Sequence, residues 1–238
     1  MGYRELPPPA RVRDSLACLW IRVVPREGAL PTRIVPDACV DLVWESGRGA
    51  FVAGPDTCAK LTRPRPGAVV VGARFLPGAG GPALRVGLDA LRDQRLDAAE
   101  LWPALAVRLP GDLSPAAALR GVTETAVRLT TAAPPDLAVR EAARRLARPR
   151  ARVEELADDL GLSRRQLRRR CHAAVGYGPK TLQRVLRLRR FLAGLEAAGP
   201  EPVLARLAAE AGYADQAHLT RECCELAGLS PATLARRR

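Results

Sequence analysis

Aromatic residues are scarce in this sequence. Trp, Tyr and Phe make up 4% of its 238 residues, so any core has to be built from Leu, Val and Ala, which the 47% hydrophobic content can supply. There is no apolar run of the roughly 18 residues that a membrane-spanning helix needs, so no membrane partner is expected. The opening stretch, MGYRELPPPARVRD, lacks the apolar centre of a secretion signal, and a cytoplasmic location is expected. Cys18, Cys39, Cys58, Cys171, Cys223 and Cys224 show no CxxC spacing. In a reducing compartment they read as small apolar residues rather than disulfides. His172 and His218 complete no zinc pattern, so neither a metal nor a cofactor is expected. Both lie in the C-terminal half, which leaves the N-terminal half without a Ser-His-Asp set. The chain is therefore read as a non-enzyme with no catalytic residues.

Positive charge is abundant. Lys and Arg number 38 against 25 Asp and Glu, a formal net charge of +13 and a pI near 10.7. That balance suits a polyanion but says nothing about fold. A bias toward Ala, Arg, Gly and Pro also follows from a GC-rich genome, so local arrangement carries more weight than the total. Residues 150–190 hold 12 basic and 4 acidic residues; residues 191–235 hold 2 and 6, and Arg236, Arg237 and Arg238 follow. Inside the basic segment, GLSRRQLRRRC (161–171) places five arginines between Arg164 and Arg170 with no acidic residue among them. Either this is a solvated helix face or it is aimed at something negatively charged.

The chain divides into two parts. Residues 1–110 are rich in Pro and Gly, with short β-leaning runs at 16–24, 39–44, 50–54 and 68–75. A helical pattern starts at Leu88, and Ala/Leu/Arg helices are expected at 115–132 and 136–148, separated by AAPP. The expected fold is α+β: a β-rich domain at 1–110, a helical connection at 111–135, and an all-α domain at 136–238.

The all-α part contains a repeat. Leu156, Ala157, Gly161, Ser163, Leu167, Arg169, Cys171, Gly176 and Pro179 recur in order as Leu207, Ala208, Gly212, Asp215, Leu219, Arg221, Cys223, Gly228 and Pro231. One extra residue sits in the second copy's turn, where insertions are tolerated. Each copy reads as helix–turn–helix, at about 151–175 and 202–227. The glycine ends the first helix in the left-handed conformation. Ser163 or Asp215 caps the second helix, at 164–174 or 216–226. Leu167 and Cys171 face inward at i and i+4. Arg164, Arg165, Arg168 and Arg169 are left outside, where such a helix enters the major groove. Arginine reads guanine O6 and N7 and also neutralises phosphate.

These segments, LADDLGLSRRQLRRRCHAAVGYGPK (156–180), LRLRRFL (186–192) and LARLAAEAGYADQAHLTRECCELAGLSP (204–231), resemble the DNA-binding domain of the AraC/XylS family of bacterial transcription regulators. The resemblance covers about residues 136–236. It implies two helix–turn–helix units joined by a long helix (Pro179 to about Ala197), with double-stranded DNA as partner. It places base readers at Arg165, Arg168 and Arg169, and at Gln216, Ala217, Thr220 and Arg221. Ser163, Arg164, Lys180 and Arg184 are candidates for positioning on phosphates. Arg184, Arg187, Arg189 and Arg190 of the long helix are expected to be mostly exposed. The second unit, with its net negative charge and Ala217, is the weaker reader, suited to holding register or facing RNA polymerase. Cys171 and Cys223 stand where the family usually has Phe, which removes aromatic volume from both cores.

The motifs PDACVDLVWESG (36–47), VAGPDT (52–57) and GARFLPGAGGPAL (72–84) resemble an uncharacterised small domain found in front of such DNA-binding domains. It is read as a sensor or dimerisation module, with a small-molecule effector and a homodimer as candidate partners. Asp37, Asp41 and Asp56 form either a ligand cluster or Asx turns and strand caps, and Arg74 meets either an acidic ligand or one of these aspartates. Trp20 and Trp44 read as core. Two alternatives stand beside the regulator: a nonspecific nucleic-acid binder, and a regulator with an enzymatic or alkyl-accepting N-terminal domain. The alkyl-accepting site needs four zinc-bound cysteines, and residues 1–135 contain Cys18, Cys39 and Cys58 alone.

Overall fold

The structure is a computed structural model that describes residues 2–28, 30–103, 109–199 and 202–237. The N-terminal part is a six-stranded antiparallel sheet. Its strands are β1 (Tyr3–Leu6), β2 (Leu16–Val23), β4 (Val40–Glu45), β5 (Gly49–Ala53), β7 (Val69–Phe75) and β8 (Arg95–Asp97). Their order is β1-β2-β7-β4-β5-β8, and a separate ribbon pairs β3 (Thr32–Ile34) with β6 (Lys60–Thr62). The apolar runs seen in the sequence are β2, β4, β5 and β7. The other strands have three or four residues each, too short for a two-residue alternation to stand out.

Alternation gives the sheet two faces. One face, with Leu19, Leu42, Trp44, Val71, Ala73 and Phe75, is buried beneath the helix α3 (Pro115–Ala132). Ala118, Val122 and Ala126 on that helix are fully covered. Arg120, Glu124, Arg128 and Thr131 lie on its polar side. The apolar stripe of this helix is thus spent on its own sheet.

A short helix, α1 (Gly80–Leu84), follows β7; the helix expected from Leu88 is replaced by turns, then β8 and a single helical turn, α2 (Ala98–Leu101). Its backbone groups bond outward. Leu88 N donates to Ala173 O at 2.9 Å and Asp93 N to Pro55 O at 2.9 Å. Asp93, itself in the left-handed region (φ 61°), accepts from both Thr57 N and Thr57 Oγ1. Gly54 is required here, because a Cβ on it would meet Leu91 O at 1.8 Å.

The C-terminal part is all helical: α4 (Leu137–Leu146), α5 (Val153–Asp159), α6 (Arg164–Val175), α7 (Pro179–Ala197), α8 (Leu204–Ala211), α9 (Gln216–Glu222) and α10 (Pro231–Arg236). A π-helical turn, Cys223–Ala227, extends α9. Arg238 lies outside the described residues. There are two cores. The first unit's core takes Leu182, Val185 and Leu186 from α7, and the second takes Leu188, Phe191 and Leu195. One helix thus supplies both units from successive turns. Among the described residues, no helix is long and apolar enough to cross a membrane.

Candidate nucleic-acid interface

The repeat is visible in the backbone. Gly161 and Gly212 end α5 and α8 at φ 62° and 86°, and Gly176 and Gly228 end α6 and the π-helical turn after α9 at φ 90° and 65°. Only glycine takes these conformations without a Cβ penalty. Ser163 Oγ accepts from Gln166 N at 3.2 Å, while Gln166 Oε1 accepts from Ser163 N at 2.8 Å. This reciprocal cap fixes the start of α6 and contributes about 1 kcal/mol. Asp215 caps α9 in one direction, accepting from His218 N at 2.6 Å.

Leu167, Cys171, Ala174 and Val175 are buried, and burial pushes the Cys171 thiol up to about 12. The matching Cys223 is likewise buried and pushed up to about 12. Outside, Arg164, Arg165, Arg168 and Arg169 are exposed, and none has an ion-pair or hydrogen-bond partner among the described residues. Arg170 is different. Its guanidinium donates twice to Asp136, at 2.8 and 2.7 Å. Asp136 in turn caps α4 by accepting from Val139 N at 3.0 Å. Burial raises the Asp136 carboxyl, but the Arg170 and Val139 bonds outweigh it and hold it below the usual range. Of the five clustered arginines, four are therefore free and one is structural. Lys180 is exposed at the start of α7 and shares a shallow groove with Arg164 and Arg168.

In the second unit Gln216, Ala217 and Arg221 are exposed, and Arg221 has no partner among the described residues. The Thr220 hydroxyl donates to Gln216 O at 2.8 Å, which ties it to its own helix. Behind this face sits a buried carboxylate that the sequence reading missed. Glu222 is 7% exposed and pairs with Arg184 Nε at 2.8 Å, Arg187 at 3.6 Å and His218 at 3.6 Å. Arg184 also pairs with Glu225.

Arg184 is thus held by the second unit rather than turned toward a phosphate, and Arg187 packs over Tyr213 at 5.4 Å. Arg190 donates to Ala211 O at 2.5 Å and to Ala147 O, at the C-terminal ends of α8 and α4. A cation is favoured at helix C-termini. Only Arg189 of the four arginines on α7 is exposed. The other three fix how the two units sit against each other, because unpaired carbonyls and the Glu222 carboxylate draw them inward.

The four N-terminal candidates Asp37, Asp41, Asp56 and Arg74 all line one cavity of about 440 Å³, between the second face of the sheet and the β3–β6 ribbon. Arg74 pairs with Asp41 at 3.2 Å, Asp37 at 3.3 Å and Glu5 at 3.5 Å. Asp37 also accepts from Cys39 N at 2.9 Å, an Asx turn. Asp56 pairs with Arg95 at 2.5 Å. Burial pushes the Asp41 carboxyl up to about 6 against the opposing pull of Arg74.

Register arranges the cavity floor in rows. Cys18, Arg74, Asp41 and Ala53 pair across one row; Trp20, Gly72, Val43 and Phe51 across the next; Arg22, Val70 and Glu45 across a third. Gly72 is required, since a Cβ would meet the Trp20 ring at 2.3 Å. Trp44 is core, with Nε1 donating to Pro110 O at 2.7 Å. Trp20 is buried too, in a smaller apolar cluster with Cys18, Val43, Phe51 and Val70, and it also lines the cavity.

Two helix–turn–helix units on a shared helix, the first with four exposed and unpaired arginines, are the architecture of a DNA-binding transcription regulator. Residues 156–237 match the family model of a helix-turn-helix domain, and residues 4–97 match a domain of unknown function (DUF6597). The C-terminal part is accordingly similar to helix–turn–helix domains, and the part before it to a domain of unknown function. Among solved structures, a single-residue variant of apo ToxT from Vibrio cholerae matches with TM-score 0.50 and 8% identity, covering 92% of this chain and 97% of that one. ToxT from the same organism in another crystal gives TM-score 0.49 and 9% identity, over 92% and 96%. Its structure with an unsaturated fatty acid bound gives 0.48 and 8%, over 93% and 95%. At this identity the first match shows likeness of fold alone. No curated protein sequence matches.

Proposed function

We propose that the protein regulates transcription by reading specific DNA sequences with two recognition helices, 164–174 and 216–226, the first of them dominant. The observation that carries this reading is the set of four exposed, unpartnered arginines on a capped helix whose other face is buried. Arg165, Arg168 and Arg169 read bases, guanine first. Ser163, Arg164 and Lys180 position the helix on phosphates. In the second unit Gln216 and Arg221 read bases, while Thr220, already bonded to its own helix, presents its methyl group. That unit holds register and turns its acidic residues toward RNA polymerase. The N-terminal part is the sensor for a small-molecule effector, supported by its cavity and by the packing of Val35 and Ala38, between β3 and β4, against the second and first units. Regulation as a homodimer doubles the DNA footprint.

Selection of bound duplexes from a random library at near-physiological salt tests the reading. Two enriched sub-sites about one helical turn apart are expected. A single sub-site removes base reading from the second unit. Salt-sensitive binding without enrichment means that the arginines hold only phosphates, as in a nonspecific nucleic-acid binder.

A further inference from the structure

The cavity floor carries charges that the protein leaves open. At and beside the first row every carboxylate has an arginine, Asp37 and Asp41 on Arg74 and Asp56 on Arg95. The third row is different. Arg22 and Glu45 are both cross-strand partners of Val70, so both side chains rise from the same face, on either side of it. Two strand spacings separate their backbones by about 10 Å. Both are half-buried and line the cavity, yet they form no ion pair with each other. Among the described residues, the Arg22 guanidinium donates to the neutral Thr32 hydroxyl and pairs with no carboxylate. The Glu45 carboxylate has none among the described residues. Between this row and the first lies the apolar row of Trp20, Val43 and Phe51. Trp20 is 9% exposed, and its indole Nε1 faces the Asp41 carboxylate. A half-buried cation and anion held apart, beside an apolar strip, call for a molecule that brings both charges itself.

The roof of the cavity is two-sided. Along β3, alternation sends Thr32 and Ile34 to the cavity and Arg33 the other way, where its Nη1 donates to Ala227 O at 3.1 Å. Ala227 closes the second recognition segment. The chain continues through Val35, packed on the second unit's core, to Ala38, buried in the first unit's core at φ 67°. Arg189 of α7 donates to Asp37 O at 3.1 Å. Residues 32–38 thus touch the cavity and both DNA-binding units at once.

We propose that this cavity binds a zwitterionic small molecule with an apolar body, its carboxylate on Arg22 and its ammonium on Glu45, and that residues 32–38 pass its occupancy to the second unit. The proposal rests on the sensor reading of the N-terminal part and is independent of whether the chain reads DNA sequence.

The test is calorimetric titration of the full chain with two matched series. One is L-phenylalanine, 2-phenylethylamine and 3-phenylpropanoate; the other is L-leucine, 3-methylbutylamine and 4-methylpentanoate. The amino acid of at least one series is expected to bind, and its amine and acid counterparts to bind at least tenfold more weakly. Arg22→Gln and Glu45→Gln, each checked for an unchanged melting curve, are expected to lose at least tenfold in affinity. An acid or amine that binds as well as the amino acid overturns the ligand class, and so does the failure of all six to bind. Amide hydrogen exchange over 204–227, measured without DNA, tests transmission. Exchange is expected to change on binding in the wild type and not in Arg33→Ala, which still binds. No change in the wild type overturns the relay.

Discussion

Arg170 of the recognition helix and Asp136 at the cap of α4 form a doubly hydrogen-bonded ion pair, at 2.8 and 2.7 Å. The pair orients the basic helix against the helix that precedes its unit, and it removes one arginine from the DNA-facing set. Arg170→Ala is expected to destabilise the domain by about 1 kcal/mol, reduced from the usual charged hydrogen-bond value because the Arg170 side chain is 38% exposed. Arg168→Ala, at a free arginine, is expected to change stability by less than about 0.5 kcal/mol. Chemical denaturation of the two variants separates them; equal losses contradict the division of the cluster.

The same pair carries a pH dependence. The Asp136 carboxyl is lower in the folded chain than its ordinary value of 3.8. Its stabilising contribution is therefore fully present above that value and is lost as pH falls through the lowered one. Asp136→Asn is expected to flatten this acidic limb. An unchanged limb in denaturation curves taken across it means that the bond contributes nothing.

Arg184 and Glu222 bind α7 to the second unit. Arg184→Ala leaves a buried carboxylate with weaker partners and is expected to cost about 2 kcal/mol. Its effect on DNA affinity is expected to follow from loosening of the second unit. A direct phosphate contact predicts the opposite, unchanged stability with a salt dependence smaller by about one counterion. Stability and salt titrations on one variant distinguish the two.

Arg164→Ala and Lys180→Ala are expected to weaken binding evenly across sequences and to lower the salt slope by about 0.9 each. A change in preferred sequence with an unaltered slope makes them base readers instead.

Much of the C-terminal half was legible because its signals are local. The glycine of each turn, the caps Ser163 and Asp215, and Pro179 at the start of α7 fix helix ends through one or two residues each. The fate of the arginines was less legible. Arg169 and Arg170 are adjacent in the same basic run, and only the arrival of Asp136 from another helix tells them apart. The same holds for Arg184, which is paired with residues 38 and 41 positions away. In the N-terminal half, strong apolar runs marked the central strands. The LDALRDQRLDAAELW stretch has helical spacing, yet its backbone makes short turns and bonds to Ala173 and Pro55 rather than forming a continuous helix. The aspartates and Arg74 were singled out as a group, but the cavity they share depends on the ribbon that roofs it, made of two strands of three residues.

The central claim is that free arginines on 164–174 read sequence. It is tested most directly by comparing the affinity of wild type and Arg168→Ala for a selected duplex and for a scrambled one at near-physiological salt. Arg168→Ala is expected to lose about 1–3 kcal/mol of discrimination, nearly all of it on the selected duplex. Equal loss on both duplexes would contradict base reading and leave these arginines as phosphate contacts.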